Sequence, residues 1–279
     1  MELLEHAGRR VTMPSEPLCC GPTWISTGQL GIAERVLSRT VRHLAGHLQE
    51  GGLVVGLEPS CTAVFRSDAG ELFPGDRDVR RPAEQTVTLA ELLTGHSPGY
   101  EPPRGPDRTA RAPAQMHCHQ HAVLGWDADE ELLRRAGVDV EQPASGGCGL
   151  AGNFGFERGH LDVSRACAER VLLPRLRSED AGTVVRADGF SCRTQIHELD
   201  SGGHEAVHLA ELLASALPDS EVTGSAYGVA PGVRPAPPGR RARALALASA
   251  GAAVGGLTAG MVRLVRGMRG MRGMRGMRG

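Results

Sequence analysis

Apolar residues recur along the chain at two periods, and their alternation predicts the architecture. The stretches Gln29 to Leu48 and Leu161 to Leu176 have the three- and four-residue spacing of helices with one buried face. Between such stretches stand short β-branched runs, Leu53-Val54-Val55 and Thr183-Val184-Val185. Ala7-Gly8 and Ala136-Gly137 each close an earlier helix with a C-cap signal. Each is followed by a short extended run, at Arg10 to Met13 and Val138 to Glu141. Strands alternating with helices imply parallel pairing, so the fold class is α/β with layered modules.

These elements come twice. Leu3-Leu4 with Ala7-Gly8 reappears as Leu132-Leu133 with Ala136-Gly137, and Cys20-Gly21 as Cys148-Gly149. Val54-Val55 leading to Pro59-Ser60-Cys61 matches Val184-Val185 leading to Phe190-Ser191-Cys192. Leu89-Ala90-Glu91-Leu92-Leu93 recurs as Leu209-Ala210-Glu211-Leu212-Leu213. Four anchors in one order mark an internal repeat of roughly 130 residues. The domains expected are a first module at 1–94, a linker rich in Pro, Gly and Arg at 95–113, a second module at 114–217 and a tail at 218–279. The second copy begins with Gln115-Met116-His117-Cys118-His119-Gln120-His121, read as a short extended run. Its counterpart would lie before Met1, so the first module is expected to be truncated at its N-terminus.

Composition narrows the function. Hydrophobic residues at 41% and charged residues at 23% are ordinary for a globular protein with a core, and aromatics at 3% leave the packing to Leu, Val and Ala. Every basic residue other than histidine is Arg, and six arginines follow position 262. Without them the chain is acidic, which gives no support to nucleic-acid binding by the folded part. The first ten residues carry two glutamates and no apolar run, so no secretory signal is read and a cytoplasmic location is expected. In a reducing compartment, patterned cysteines are more often metal ligands or redox groups than disulfides.

Six of the seven cysteines are patterned. Cys19 and Cys20 precede Gly21 in one turn, and Cys61 follows the next strand; Cys118, Cys148 and Cys192 take three comparable corners of the second copy. In layered α/β folds the carboxyl ends of the strands open into one crevice, where such loops converge. Thiolates at helix N-termini are favoured by the dipole and by free N–H groups, and Gly21 and Gly149 let backbone amides approach sulfur. A sulfur-rich site selects an iron–sulfur cluster or zinc. Cys167, inside a helix without a repeat partner, reads as a small core residue. His117 and His119 would share one face of a strand and Cys118 the other, so these histidines read as local hydrogen-bonding groups.

At Leu18-Cys19-Cys20-Gly21-Pro22, Gly56-Leu57-Glu58-Pro59-Ser60-Cys61, His117-Cys118-His119-Gln120, the Gly149 to Glu157 segment and Ala187 to Arg193, the sequence resembles the CCG-type cysteine-rich domain. That domain occurs in heterodisulfide-reductase-like iron–sulfur proteins and in glycolate and D-lactate oxidoreductases. The resemblance covers residues 1–217 and is nearest to the C-terminal part of bacterial FAD-linked oxidases. It implies an oxidoreductase component passing electrons from reduced FAD, after oxidation of a 2-hydroxy acid, to an acceptor. It also implies FAD on an absent domain or partner, a ferredoxin-like partner domain, and a cluster of the 4Fe-4S type. The implied metal ligands are Cys19, Cys20 and Cys61 in the first half and Cys118, Cys148 and Cys192 in the second. Gly147 stands where the family has a second cysteine, so each half offers three thiolates. A zinc-stabilised docking module and a degenerate fragment of the larger oxidoreductase are the competing readings.

From Ala242 to Val265 the tail is rich in Ala and Gly, and Arg-Gly-Met triplets follow. An interfacial helix or an unstructured segment is expected there, the former implying peripheral contact at the inner face of the membrane.

Overall fold

The computed structural model describes residues 1–104, 111–152 and 154–217. The centre of the expected linker, Asn153 and the whole tail, with its expected helix and membrane contact, lie outside the described residues. In chain order the helices are α1 (Glu2–His6), α2 (Pro22–Ser26), α3 (Leu30–Gln49), α4 (Pro59–Ala63), α5 (Ala69–Leu72), α6 (Arg77–Gln85), α7 (Leu89–Gly95), α8 (Asp127–Ala136), α9 (Leu161–Arg170), α10 (Leu172–Leu176), α11 (Phe190–Leu199) and α12 (Leu209–Ala214). The strands are β1 (Val54–Gly56), β2 (Thr86–Thr88), β3 (Arg111–Pro113), β4 (Asp139–Glu141), β5 (Val185–Arg186) and β6 (Ala206–Val207). Wide π-helical turns join α4 to α5 (Val64–Asp68) and follow Cys118 (Gln120–Leu124).

The fold is α/β, and every strand pair is parallel. In the first copy β1 pairs with β2, Val55 opposite Val87. In the second, β5 pairs with β6 and β3 with β4, and Ala114 bridges to Arg186, giving the order β4-β3-β5-β6. The end of the expected linker is therefore β3, an inner strand. Residues 10–13, expected to be extended like β4, form no strand. Their equivalent in the second copy pairs with β3, whereas among the described residues no strand pairs with residues 10–13. The helix expected over 161–176 breaks at Val171, where φ is −145°. Pro174 has no N–H, and its ring would strike the carbonyl of residue 170 in a continuous helix.

Local chemistry sets the helix ends as the sequence suggests. Asp127, Asp129 and Glu130 occupy the first turn of α8 and Arg134 and Arg135 its last, matching the dipole, before left-handed Gly137 closes it. Thr88 and Glu91 form a capping box on α7, and His208 and Glu211 do so on α12.

Each copy has a buried cluster of its own, and a third is shared between them. Leu3, Leu89, Leu93, Leu132, Leu133, Leu209 and Leu213 form one buried cluster. Helix α1 packs on α12, and α7 packs on α8. Since α1 corresponds to α8 and α7 to α12, exchanging the copies converts one contact into the other. The arrangement is reciprocal, as in a two-fold dimer interface. Beside it, fully buried Arg186 donates through Nη2 to both Asp129 and Asp188 and lies over the Trp126 ring, 4.6 Å from its centroid. His208 ties the copies further, its Nε2–H donating to the Leu57 carbonyl at 2.8 Å while Nδ1 accepts from the Ala210 N–H.

Because the core is shared, Leu132→Ala should lower stability by about 2–5 kcal/mol and loosen both copies together. Denaturant unfolding followed separately at Trp24 and Trp126, each in a variant lacking the other tryptophan, should give coincident transitions. Two separated midpoints would refute the shared core.

Candidate metal centre

The cysteines are placed by the starts of helices. Cys61 and Cys192 are each the third residue of a helix, α4 and α11, and Cys118 begins the helical turn that leads into Gln120–Leu124. Cys20 and Cys148 sit on loops, each followed by a left-handed glycine, Gly21 at φ 85° and Gly149 at φ 71°.

In the first copy Cys20 and Cys61 meet as expected, with Cα atoms 5.4 Å apart, and the structure joins them as a disulfide. This differs from the free thiols expected of metal ligands: with Cα atoms this close, the two sulfurs are within bonding reach. Cys19 is free and exposed, and its carbonyl accepts a 2.8 Å hydrogen bond from Thr40 Oγ1.

In the second copy Cys118, Cys148 and Cys192 remain thiols, Cys148 and Cys192 buried and Cys118 at the surface. The Cys192 thiol donates to the Cys148 sulfur, and this bond, against the effect of burial, lowers Cys148 to about 6. The Leu150 and Ala151 N–H groups and the Ser191 side chain also donate to it. Cys192 is correspondingly pushed well up, first by its bond to Cys148 and then by burial. Cys118 is raised by partial desolvation and by the nearby Cys148 sulfur. The pair thus holds one thiolate and one thiol, with backbone amides directed at the thiolate as Gly149 was expected to permit.

Gly149 has a second reason to be glycine. A Cβ there would lie 2.9 Å from Cys167 Sγ and 3.0 Å from Ser164 Cα. Cys167 is thus packed against the loop, half-buried rather than in the core as expected. Ser164 Oγ and Gln195 Nε2 both donate to the Cys148 carbonyl and fix the loop from α9 and α11.

The strand placement expected for the histidines is overturned. Strand β3 ends at Pro113 and the chain is turning into a helix by Cys118, so strand alternation does not apply. Donor atoms of His117, Cys118 and His119 all lie within 4.8 Å of one another. His117 is buried, its ring stacked on that of His119 with centroids 5.3 Å apart. Its Nδ1 accepts from the His119 N–H at 3.2 Å, and its Nε2 lies 3.9 Å from Glu58 Oε1. Burial pushes the His117 imidazolium down, against the pull of Glu58. Gly189 makes room for this ring: a Cβ there would fall 2.1 Å from His117 Cδ2.

Glu58 is the functional residue to which the sequence reading gave no role. It stands at the first-copy position corresponding to Gly189, yet it reaches into the second-copy site. Its Oε2 accepts from the Phe190 N–H at 2.8 Å and its Oε1 from Ser60 Oγ at 2.9 Å. Helix α4 also packs on the Gln120–Leu124 turn. The two cysteine groups therefore adjoin across α4. The available signal was the mismatch itself, a carboxylate in one copy opposite a glycine in the other.

The donor set fits a soft metal centre. Three thiols, one already ionised, a pair of imidazoles and amides directed at sulfur suit an iron–sulfur cluster or zinc. Cys118, Cys148 and Cys192 would hold the former, whereas His117, Cys118 and His119 are compact enough for a single ion.

Comparison with known proteins follows the same direction. No family model matches the chain. It is 25% identical over 226 residues to lactate utilization protein A of Bacillus velezensis, covering 77% of this chain and 90% of that protein. It is 24% identical to D-2-hydroxyglutarate dehydrogenase of Pseudomonas putida, covering 71% of this chain but 19% of that protein. It is 25% identical to one of the subunits of the anaerobic glycerol-3-phosphate dehydrogenase of Escherichia coli, covering 78% of this chain and 54% of that protein. The expected likeness to part of a larger hydroxyacid dehydrogenase is found, at low identity. Among the described residues no helix is long and apolar enough to cross a membrane.

The Cys148 thiolate depends on Cys192. In metal-free protein, alkylation of Cys148, located by peptide mass, should become fast above about pH 6. Cys192→Ala should move that onset upward towards an ordinary thiol, since the donor is lost while burial remains. An unchanged profile would refute the pairing.

Proposed function

We propose that this chain is the iron–sulfur electron-transfer part of a flavin-dependent oxidoreductase acting on a small hydroxy acid or a related alcohol. The observation that supports the reading is the bonded pair Cys148 and Cys192, with Cys118 in electrostatic reach of both. On this reading residues 1–94 and 114–217 are two cysteine-rich modules. Cys118, Cys148 and Cys192 hold a centre in the second, and Cys19, Cys20 and Cys61, once reduced, offer three thiolates in the first. Such a centre, 4Fe-4S in type, supplies one-electron chemistry. The chain's own contribution is to bury two of the sulfurs, direct the Leu150 and Ala151 amides at one of them, and leave the Cys118 side open to solvent. The relatives support the electron-transfer role, since two are named as a dehydrogenase or part of one and another as a protein of lactate utilisation. Flavin-binding and ferredoxin-like parts, on the same or separate chains, are the partners this role requires.

A second reading has its own observation. The His117–Cys118–His119 group suits one zinc ion, which would make the module a structural or docking unit.

Anaerobic reconstitution with iron and sulfide separates the two. The electron-transfer reading expects bound iron and sulfide, thiolate-to-iron absorption in the visible range, and a paramagnetic signal on reduction. Cys148→Ser and Cys192→Ser should each lose most of that absorption. One tightly held zinc with no reducible iron would reject the electron-transfer reading in favour of the docking module.

A further inference from the structure

The internal repeat aligns Cys19-Cys20-Gly21 with Gly147-Cys148-Gly149, so the second copy has a glycine where the first has a thiol. The place left by that side chain can be located. A Cβ built on Gly147 would lie 3.7 Å from Cys118 Cβ, an ordinary contact, and Gly147 is not among the positive-φ glycines. A cysteine there would thus stand beside Cys118 without strain, at the edge of the site. Next to Cys118 in the chain is His119, with a ring nitrogen within 4.8 Å of the Cys118 sulfur. His119 Nδ1 is buried and has no hydrogen-bond partner. A buried polar atom without a partner is destabilising, and a bound ligand removes that cost. His117 is not in this position, because its Nδ1 lone pair already accepts the His119 N–H. Asp68, at the end of the π turn after α4, lies within electrostatic reach of His119.

We propose that His119 is the fourth protein ligand of the second-copy metal centre, taking through Nδ1 the coordination place left without a thiolate at Gly147. This rests on the metal-centre reading above and makes it specific, a three-cysteine, one-histidine site. Imidazole in place of thiolate removes one negative charge, and histidine ligation raises the reduction potential of iron–sulfur centres.

Four forms of the full chain test this after anaerobic reconstitution: the parent, His119→Ala, Gly147→Cys and the double variant Gly147→Cys with His119→Ala. Labelling histidine with the heavy nitrogen isotope should change the hyperfine pattern of the reduced centre in the parent, and this dependence should vanish in His119→Ala. His119→Ala should weaken metal retention by at least roughly the 10–100-fold lost when an outer-shell partner is removed. The double variant should recover retention, with a lower midpoint potential than the parent and no histidine signal. If the chain takes up zinc or cobalt in place of iron, the cobalt absorption spectrum gives the same readout. His119→Asn, with circular dichroism on every variant, separates loss of a ligand from loss of fold. A centre that forms in the parent with no histidine coupling, or a coupling that survives in His119→Ala, overturns the assignment of His119 alone. A parent chain that holds no metal overturns both this assignment and the reading on which it rests.

Discussion

The buried guanidinium of Arg186 is the interaction around which the second module is organised. It lies at the end of β5, fully shielded from water, and must be neutralised there because an unpaired buried charge is prohibitively costly. Asp129 of α8 and Asp188 of the following loop both accept from it, and the Trp126 ring covers one face. Asp188 in turn accepts from the Leu209 N–H at the start of α12 and lies 3.7 Å from His208 Nε2. One cation thus fixes the strand end, α8, α12 and the loop that carries Gly189 and Cys192. Burial pushes the two carboxyls up and Arg186 pulls them down, with unequal results. Asp129 ends at about 6, whereas Asp188 stays below the usual range. Arg186 therefore pairs with one firmly ionised partner and one that titrates near neutrality. The polar centre sets the geometry on which the cysteine site depends.

Much of the architecture was legible in the sequence because the same physics is written twice. The Leu-Leu…Ala-Gly and Leu-Ala-Glu-Leu-Leu segments revealed the repeat, and they are also the helices that meet in the shared core. Their recurrence has a physical cause: each must fit the other copy's equivalent of its own neighbour. Parallel strands, the C-cap at Gly137 and long α3 followed from local pattern. Residues 10–13 were misread because a strand exists by pairing, and local propensity carries no information about pairing. The break at Val171 was readable from Pro174 and was masked by strong apolar spacing on either side.

At the site, the cysteines were legible and their environment was not. The sequence placed Cys148 and Cys192 together, but it contained no indication that they share a proton. The disulfide between Cys20 and Cys61 differs from the expected ligand role, though it places those residues where that role would require them. The strand placement of the histidines failed because the strand period was carried past Pro113, where the backbone changes direction. Glu58, Gln195 and Ser164 were invisible to motif reading. Their roles depend on contacts across 16 to 132 residues, which spacing within a motif does not encode.

The reciprocal burial of α1 on α12 and α7 on α8 has a consequence for descent. Duplicated domains joined by a flexible tether are free to diverge, because a change in one is not tested against the other. Here the copies form each other's interior, so drift in either is screened by its sister and their scaffold stays alike. Novelty is then confined to positions outside the shared leucine cluster. The departures from symmetry fall there: Glu58 opposite Gly189, Gly147 opposite Cys19, and Thr88 opposite His208, with Glu58 and His208 bonding across the copies. The frame is kept twice, while the second-copy site is a composite of both halves.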